Sequence, residues 1–241
     1  MLASFLPAVL LALLAGTVRG FSGFGYAVIM VLGLTRLLPV QQAVVTAILL
    51  DLVCCLGLLP GAVRRCERPL LLRLCLGMLL SLPCGIWLLQ VVPGIWMSRV
   101  VGGLSLLGGV LLLTRLRLPN GAPRLAIPAG VASGLAMTTA SAGGPPLMVY
   151  LLNQPLPAEV QRATAIVFFA LCSSASLLGL AGNGLLGMQQ AWLALMLWLP
   201  SLLGNQLGQH LFARYGTGGL HYWVAPLLIV LALWVIVHPG H

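Results

Sequence analysis

Only 15 of the 241 residues are charged, so the candidates for chemistry are few. The sharpest is Arg19, which follows an apolar run beginning at the N-terminus. An arginine at the centre of a bilayer costs about 2.5–3.5 kcal/mol on insertion scales, so it persists only with a counterion, a wet cavity or an anionic ligand. Asp51 is the one acid inside an apolar span. It has two readings: a counterion fixed to Arg19, or a coupling group for protons. A carboxylate held permanently by a guanidinium is a poor proton carrier. The reading carried forward gives Arg19 to a ligand and Asp51 a coupling or counterion role.

Two clusters of glycine and small polar residues are the next candidates. One reads Arg19-Gly20-Phe21-Ser22-Gly23-Phe24-Gly25, the other Thr138-Thr139-Ala140-Ser141-Ala142-Gly143-Gly144-Pro145-Pro146. Each is followed by a short apolar segment that predicts a helix starting near Tyr26 or Pro145. Proline suits a first helical turn, where no N–H is needed. Bare amides and the positive end of the dipole at such a start attract an anion. Gly23, Gly25, Gly143 and Gly144 allow close backbone approach, and Ser22, Thr138, Thr139 and Ser141 add hydroxyls. Thr46 and Thr164, each seven residues after a proline, either serve the same site or bond their own helix carbonyls. Asn205, Gln206, Gln209, His210 and Arg214 mark one helix as partly polar.

Other chemistries fare worse. The six cysteines show neither C-x-x-C nor histidine at ligand spacing, so packing is expected and no metal. Gly20-Phe21-Ser22-Gly23 resembles the G-x-S-G of intramembrane serine proteases, but that reaction needs a histidine base and only His210 is plausibly embedded. No G-x-x-x-x-G-K loop exists and the chain has no lysine, so no nucleotide or other cofactor is called for.

These residues sit in a chain built for lipid. Hydrophobic residues make up 60%, charged residues 6%, and the mean hydropathy is +1.08. Soluble domains carry about 25% charged residues. The net charge of +9 comes from arginines scattered singly or at the ends of apolar runs, which excludes a nucleic-acid partner and fits the flanks of membrane spans. Residues 2–18 lack a basic start and read as a structural segment, not a cleaved leader.

Glycine and proline breaks leave six runs near the twenty residues needed to cross: 39–59, 70–92, 95–114, 158–180, 187–211 and 220–237. Segments 2–37 and 125–154 are too long for one upright helix, and each holds one glycine cluster. A shift of 118 superimposes them: Gly16 falls on Gly134, Gly25 on Gly143, Pro39 on Pro157, Thr46 on Thr164 and Cys54 on Cys172. The expected organisation is a first repeat over 1–118 and a second over 119–241. Each is a broken helix plus three transmembrane helices. If the long segments cross, there are eight spans and arginines divide seven against four between the faces. If they dip and return as hairpins, six spans remain and the division is nine against two. Cytoplasmic loops concentrate arginine, so the hairpin arrangement is preferred, with inverted repeats and both termini outside.

The layout resembles the sulfite exporter TauE/SafE family, also called the toluene-sulfonate uptake permeases. The matching residues are Gly20–Gly25 with Pro39 and Ala43–Thr46, and Ser141–Pro146 with Pro157 and Ala163–Thr164. In the first copy, Gly23-Phe24-Gly25-Tyr26 replaces the run of glycines common in the family. The resemblance implies a multi-pass permease of the bacterial inner membrane that carries small sulfur anions, sulfonates or related organic acids. The alternatives are an anion channel and, far behind, a protease using Ser22 and His210. Assembly into a homo-oligomer stays open.

Overall fold

A computed structural model describes residues 2–114 and 123–215, together with 229, 230, 232, 233, 235 and 237. The described chain is all helical. Its helices are α1 (Leu2–Ser22), α2 (Tyr26–Leu34), α3 (Val40–Val63), α4 (Arg68–Val91), α5 (Gly94–Thr114), α6 (Ala126–Ala140), α7 (Gly144–Leu152), α8 (Ala158–Gly182) and α9 (Met188–Tyr215), with a 3-10 turn at Pro123–Leu125. Self-contained helices are what hydrocarbon demands, because each satisfies its own backbone.

Among the described residues, four helices are long and apolar enough to cross a membrane: α3, α4, α8, and α5 over Gly94–Leu111. The fifth expected span, 187–211, is the 28-residue α9, whose Asn205, Gln206, Gln209 and His210 dilute its apolar character. The sixth expected span, 220–237, lies largely outside the described residues.

Both long segments break and fold back. Gly23 (φ 80°) and Gly25 (φ 92°) adopt left-handed backbone after α1, a region open to glycine at little cost. A Cβ on Gly33 would overlap the Leu11 side chain, which places the end of α2 beside the middle of α1. The second break carries Ser141 at φ 52°. Two residues later the chain has already reversed, since the Ser133 hydroxyl donates to the Gly143 carbonyl at 2.5 Å. Pro145 and Pro146 open α7, as the missing N–H groups permit. Segments 2–37 and 125–154 are therefore helical hairpins.

Small residues then lock each hairpin to a more distant helix. Gly16 and Gly20 lie against the backbone of Ser201–Gln209, while Gly204 and Gly208 lie against Leu13–Phe21. On the other side, Gly130 packs on Leu74, Gly134 on Met78 and Ser81, and Gly77 on Ile127 and Val131. Four-residue spacing of small residues lets helix axes approach closely, the usual device where lipid removes the hydrophobic drive for association. Numbering rises together along both partners, so α1 runs parallel to α9 and α4 to α6. By contrast α3 and α8 run antiparallel. Asp51 meets Ser173 at their middles, and Arg65, just past the end of α3, meets Glu159 at the start of α8.

Helix α2 is buried on every side apart from Gly33, as its all-round apolar sequence requires. Helices α4 and α9 instead present Leu72, Leu76, Leu80, Trp87, Trp192, Leu195 and Leu199 outward, a surface suited to acyl chains.

Candidate functional site

Arg19 is 1% exposed and lies near the end of α1, one turn before the first break. Its Nη1 is 3.2 Å from Oδ1 of Asp51, itself 1% exposed, in the middle of α3. Nη2 donates to Sγ of Cys55 at 2.5 Å, and the guanidinium stacks 5.0 Å from the Phe169 ring centroid. Asp51 Oδ2 accepts from Ser173 Oγ at 3.0 Å and, more distantly, from the Cys55 thiol. Among the described residues, Nε of Arg19 has no hydrogen-bond partner, and Oδ1 of Asp51 has only the ion pair. A buried charge keeps a place by being paired and bonded; this pair is matched in charge and incompletely bonded.

The two hairpin tips meet beside it. A Cβ on Gly144 would press on the Phe24 ring and approach the amide nitrogen of Gly25. Between the tips is a cavity of about 10 Å³, lined by Arg19, Gly25, Ala27, Val28, Asp51, Met137, Ser141, Gly144 and Phe169. It has room for about one water. The first-turn amides of α2 lack intrahelical acceptors, and Ala27 and Val28 face this space. Helix α7 contributes differently: two of its first residues are prolines, so it offers a dipole with few N–H groups. Of the two helix starts, only the first has the full set of amides.

Six expected residues are thus drawn to one place: Arg19, Asp51, Gly25, Ser141, Gly144 and, through its packing on Met137, Gly143. Ser141 also donates to the Val44 carbonyl at 3.2 Å. Others lie elsewhere. Ser22 donates to the carbonyls of Val18 and Phe24, closing the first break, and Gly23 backs onto the Arg162 side chain. Thr46, Thr138, Thr139 and Thr164 return their hydroxyls to Gln42, Gly134, Leu135 and Val160, one turn back, so of the two readings of Thr46 and Thr164 the helix-bonding one describes this state. Thr164 also accepts from the Glu67 amide at 3.0 Å. The stripe on α9 divides: Asn205 is buried and donates to the Cys54 carbonyl at 3.1 Å, while Gln206 and His210 are exposed. The protease pairing is not assembled, because the three Ser22 Oγ bonds all go to backbone and His210 faces outward.

Four contributors went unforeseen. Cys55, Ser173 and Phe169 complete the surroundings of the ion pair, and Arg162, inside the expected span 158–180, donates from Nη2 to the Gly20 carbonyl at 2.5 Å. Arg162 carried a usable signal, being a cation inside the first turn and a half of an apolar helix. For the others no pattern distinguishes them from apolar filler.

Comparison with known proteins gives one result: the family model described as Sulfite exporter TauE/SafE matches residues 8–235. No curated protein matches, and no solved structure matches.

Proposed function

The chain belongs to the sulfite exporter TauE/SafE family and is a multi-pass membrane transporter, not an enzyme; on that premise we propose that it moves a small anion, a sulfur oxyanion, sulfonate or related organic acid, across the inner membrane as a secondary permease. The observation that carries this reading is the Arg19–Asp51 pair sealed between two hairpin tips, with Nε of Arg19 still lacking an acceptor. A guanidinium binds an oxyanion best through paired N–H donors. Asp51 holds that charge while the cavity is closed to all but a water; an entering oxyanion takes over part of its role. Ala27 and Val28, at the start of α2, and Ser141 line the same space. With so little volume, the state described is occluded, and binding requires the tips to part.

We further propose that residues 1–118 and 119–241 are inverted repeats and that the site lies where they meet. The antiparallel course of α3 and α8, which correspond under the shift of 118, supports inversion over parallel duplication. The same shift pairs Gly23, one of two left-handed residues in the first break, with Ser141, the left-handed residue of the second. It also pairs Arg19 with Met137 and Asp51 with Phe169, all four lining one cavity. Inverted repeats with broken helices at mid-membrane are a common transporter plan.

The test is uptake of radiolabelled sulfite, thiosulfate and sulfonates into proteoliposomes. Saturable, concentrative flux in the natural protein that is lost in Arg19→Ala, with insertion intact, is expected. Non-saturating flux that only follows the gradient would indicate a channel, and undiminished flux in Arg19→Ala would remove Arg19 from the site.

A further inference from the structure

A second and larger cavity opens between α3, α8 and α9. Its volume is about 350 Å³, within the range of small-molecule sites, about 300–1,000 Å³. Arg65, Gly61, Glu159, Arg162, Gln209 and Phe212 line it. At the rim, Arg65 and Glu159 neutralise one another at 3.0 Å, both about two-thirds exposed. Deeper in, Arg162 remains as a charge without a carboxylate. Its guanidinium lies 4.3 Å over the Phe212 ring, Nη2 donates to the Gly20 carbonyl, and the buried Nε has no hydrogen-bond partner among the described residues. Gly20 is the residue after Arg19, so Arg162 is bonded to α1 one residue along from the ion pair.

We propose that this cavity is an anion-capture site, with Arg162 as its binding residue, that loads the Arg19 site for an oxyanion such as a sulfate or sulfonate group. The proposal rests on the transport reading for its purpose, though not for the binding event itself. Three features fit capture. The cavity is open and wide enough for a tetrahedral anion, whereas the space at Arg19 holds about one water. The cavity's net charge is positive once Arg65 and Glu159 cancel. The bond that Arg162 makes, to a neutral carbonyl at the end of α1, is weaker than one to an anion. An arriving oxyanion draws the guanidinium away from Gly20, which frees the end of α1 next to the first break. Anion capture is thereby linked to opening of the hairpin tip.

The rival explanation is that Arg162 merely caps the carbonyl end of α1, as cations at helix C-termini do. The experiment separates the two. Gly61 faces open space within the cavity wall, so Gly61→Cys introduces a thiol there without overlap. Its labelling by a membrane-impermeant maleimide is measured in membranes against the unsubstituted chain, with sulfate or methanesulfonate compared to chloride at equal ionic strength. Capture predicts that the oxyanion slows labelling by about elevenfold at ten times its Kd. Protection persists in Arg162→Lys and disappears in Arg162→Gln, where thermal stability reports any loss of the cap. Equal protection in Arg162→Gln, or none in the Arg162 protein at any concentration up to 50 times that giving half-maximal uptake, overturns the proposal. Should Arg162→Gln fail to insert, the Arg162 and Arg162→Lys measurements decide alone. Protection without flux would overturn transport and leave capture standing; flux without protection would do the reverse.

Discussion

At the scale of single residues, the Arg19–Asp51 pair invites a direct question: does it hold the fold or serve the passing ion? Removing one partner leaves the other charged and buried, which costs about 3–5 kcal/mol. Arg19→Ala and Asp51→Asn are therefore both expected to lower the unfolding temperature in detergent. Replacing the two together with apolar side chains of similar size is often neutral or stabilising by about 1–4 kcal/mol. The double variant Arg19→Met/Asp51→Leu should thus regain thermal stability while anion flux stays absent; recovery of flux would make the pair structural. Arg19 and Asp51 were legible because charge inside an apolar run is rare. Ser173, Cys55 and Phe169 were not, because serine, cysteine and phenylalanine are ordinary occupants of apolar helices. Which of them faces the pair depends on the rotation of α3 and α8, and that is set by tertiary packing.

Among the elements, the hairpin breaks carry the clearest consequences. Gly25 holds φ 92°, where a side chain is penalised by about 1–2 kcal/mol. Gly25→Ala should lower stability by roughly that amount. Gly143 and Gly144 separate by direction. A side chain on Gly143 pushes against Ser133 and Met137 and spreads the arms of its own hairpin, while one on Gly144 pushes against Phe24 of the other tip. Gly143→Leu is expected to reduce both stability and flux. Gly144→Leu should reduce flux with less loss of stability, measured by thermal unfolding beside uptake. The start of α7 was readable from Pro145 and Pro146, and the four long spans from their unbroken apolar runs. Helix α9 was harder, since its polar residues divide between the contact with α3 and the outside, a partition that four-residue spacing does not reveal.

For the whole molecule, the antiparallel meeting of α3 with α8 has a topological consequence. In a bilayer, Arg64 and Glu159 belong on one face and Asn183 on the opposite face. In a cysteine-free background, Arg64→Cys and Glu159→Cys should react with an impermeant reagent from the same side, and Asn183→Cys from the other. An eight-span arrangement would put Arg64 and Glu159 on opposite sides and is excluded by that result. The imbalance of arginines already favoured hairpins, because loop charge depends on which face a loop occupies. Which helices would touch was beyond reach, since small residues recur throughout a chain with 29 glycines and their spacing does not say which helix each will meet.

The glycine-lined contacts bind α1 to α9 and α4 to α6, so each hairpin is fastened to a helix from the other half of the sequence. Whatever swings during a cycle is then a composite body drawn from both halves of the chain, and neither half possesses its own mate. Two fragments made separately, divided between residues 114 and 123, should each be unstable alone and recover by finding one another in the same membrane.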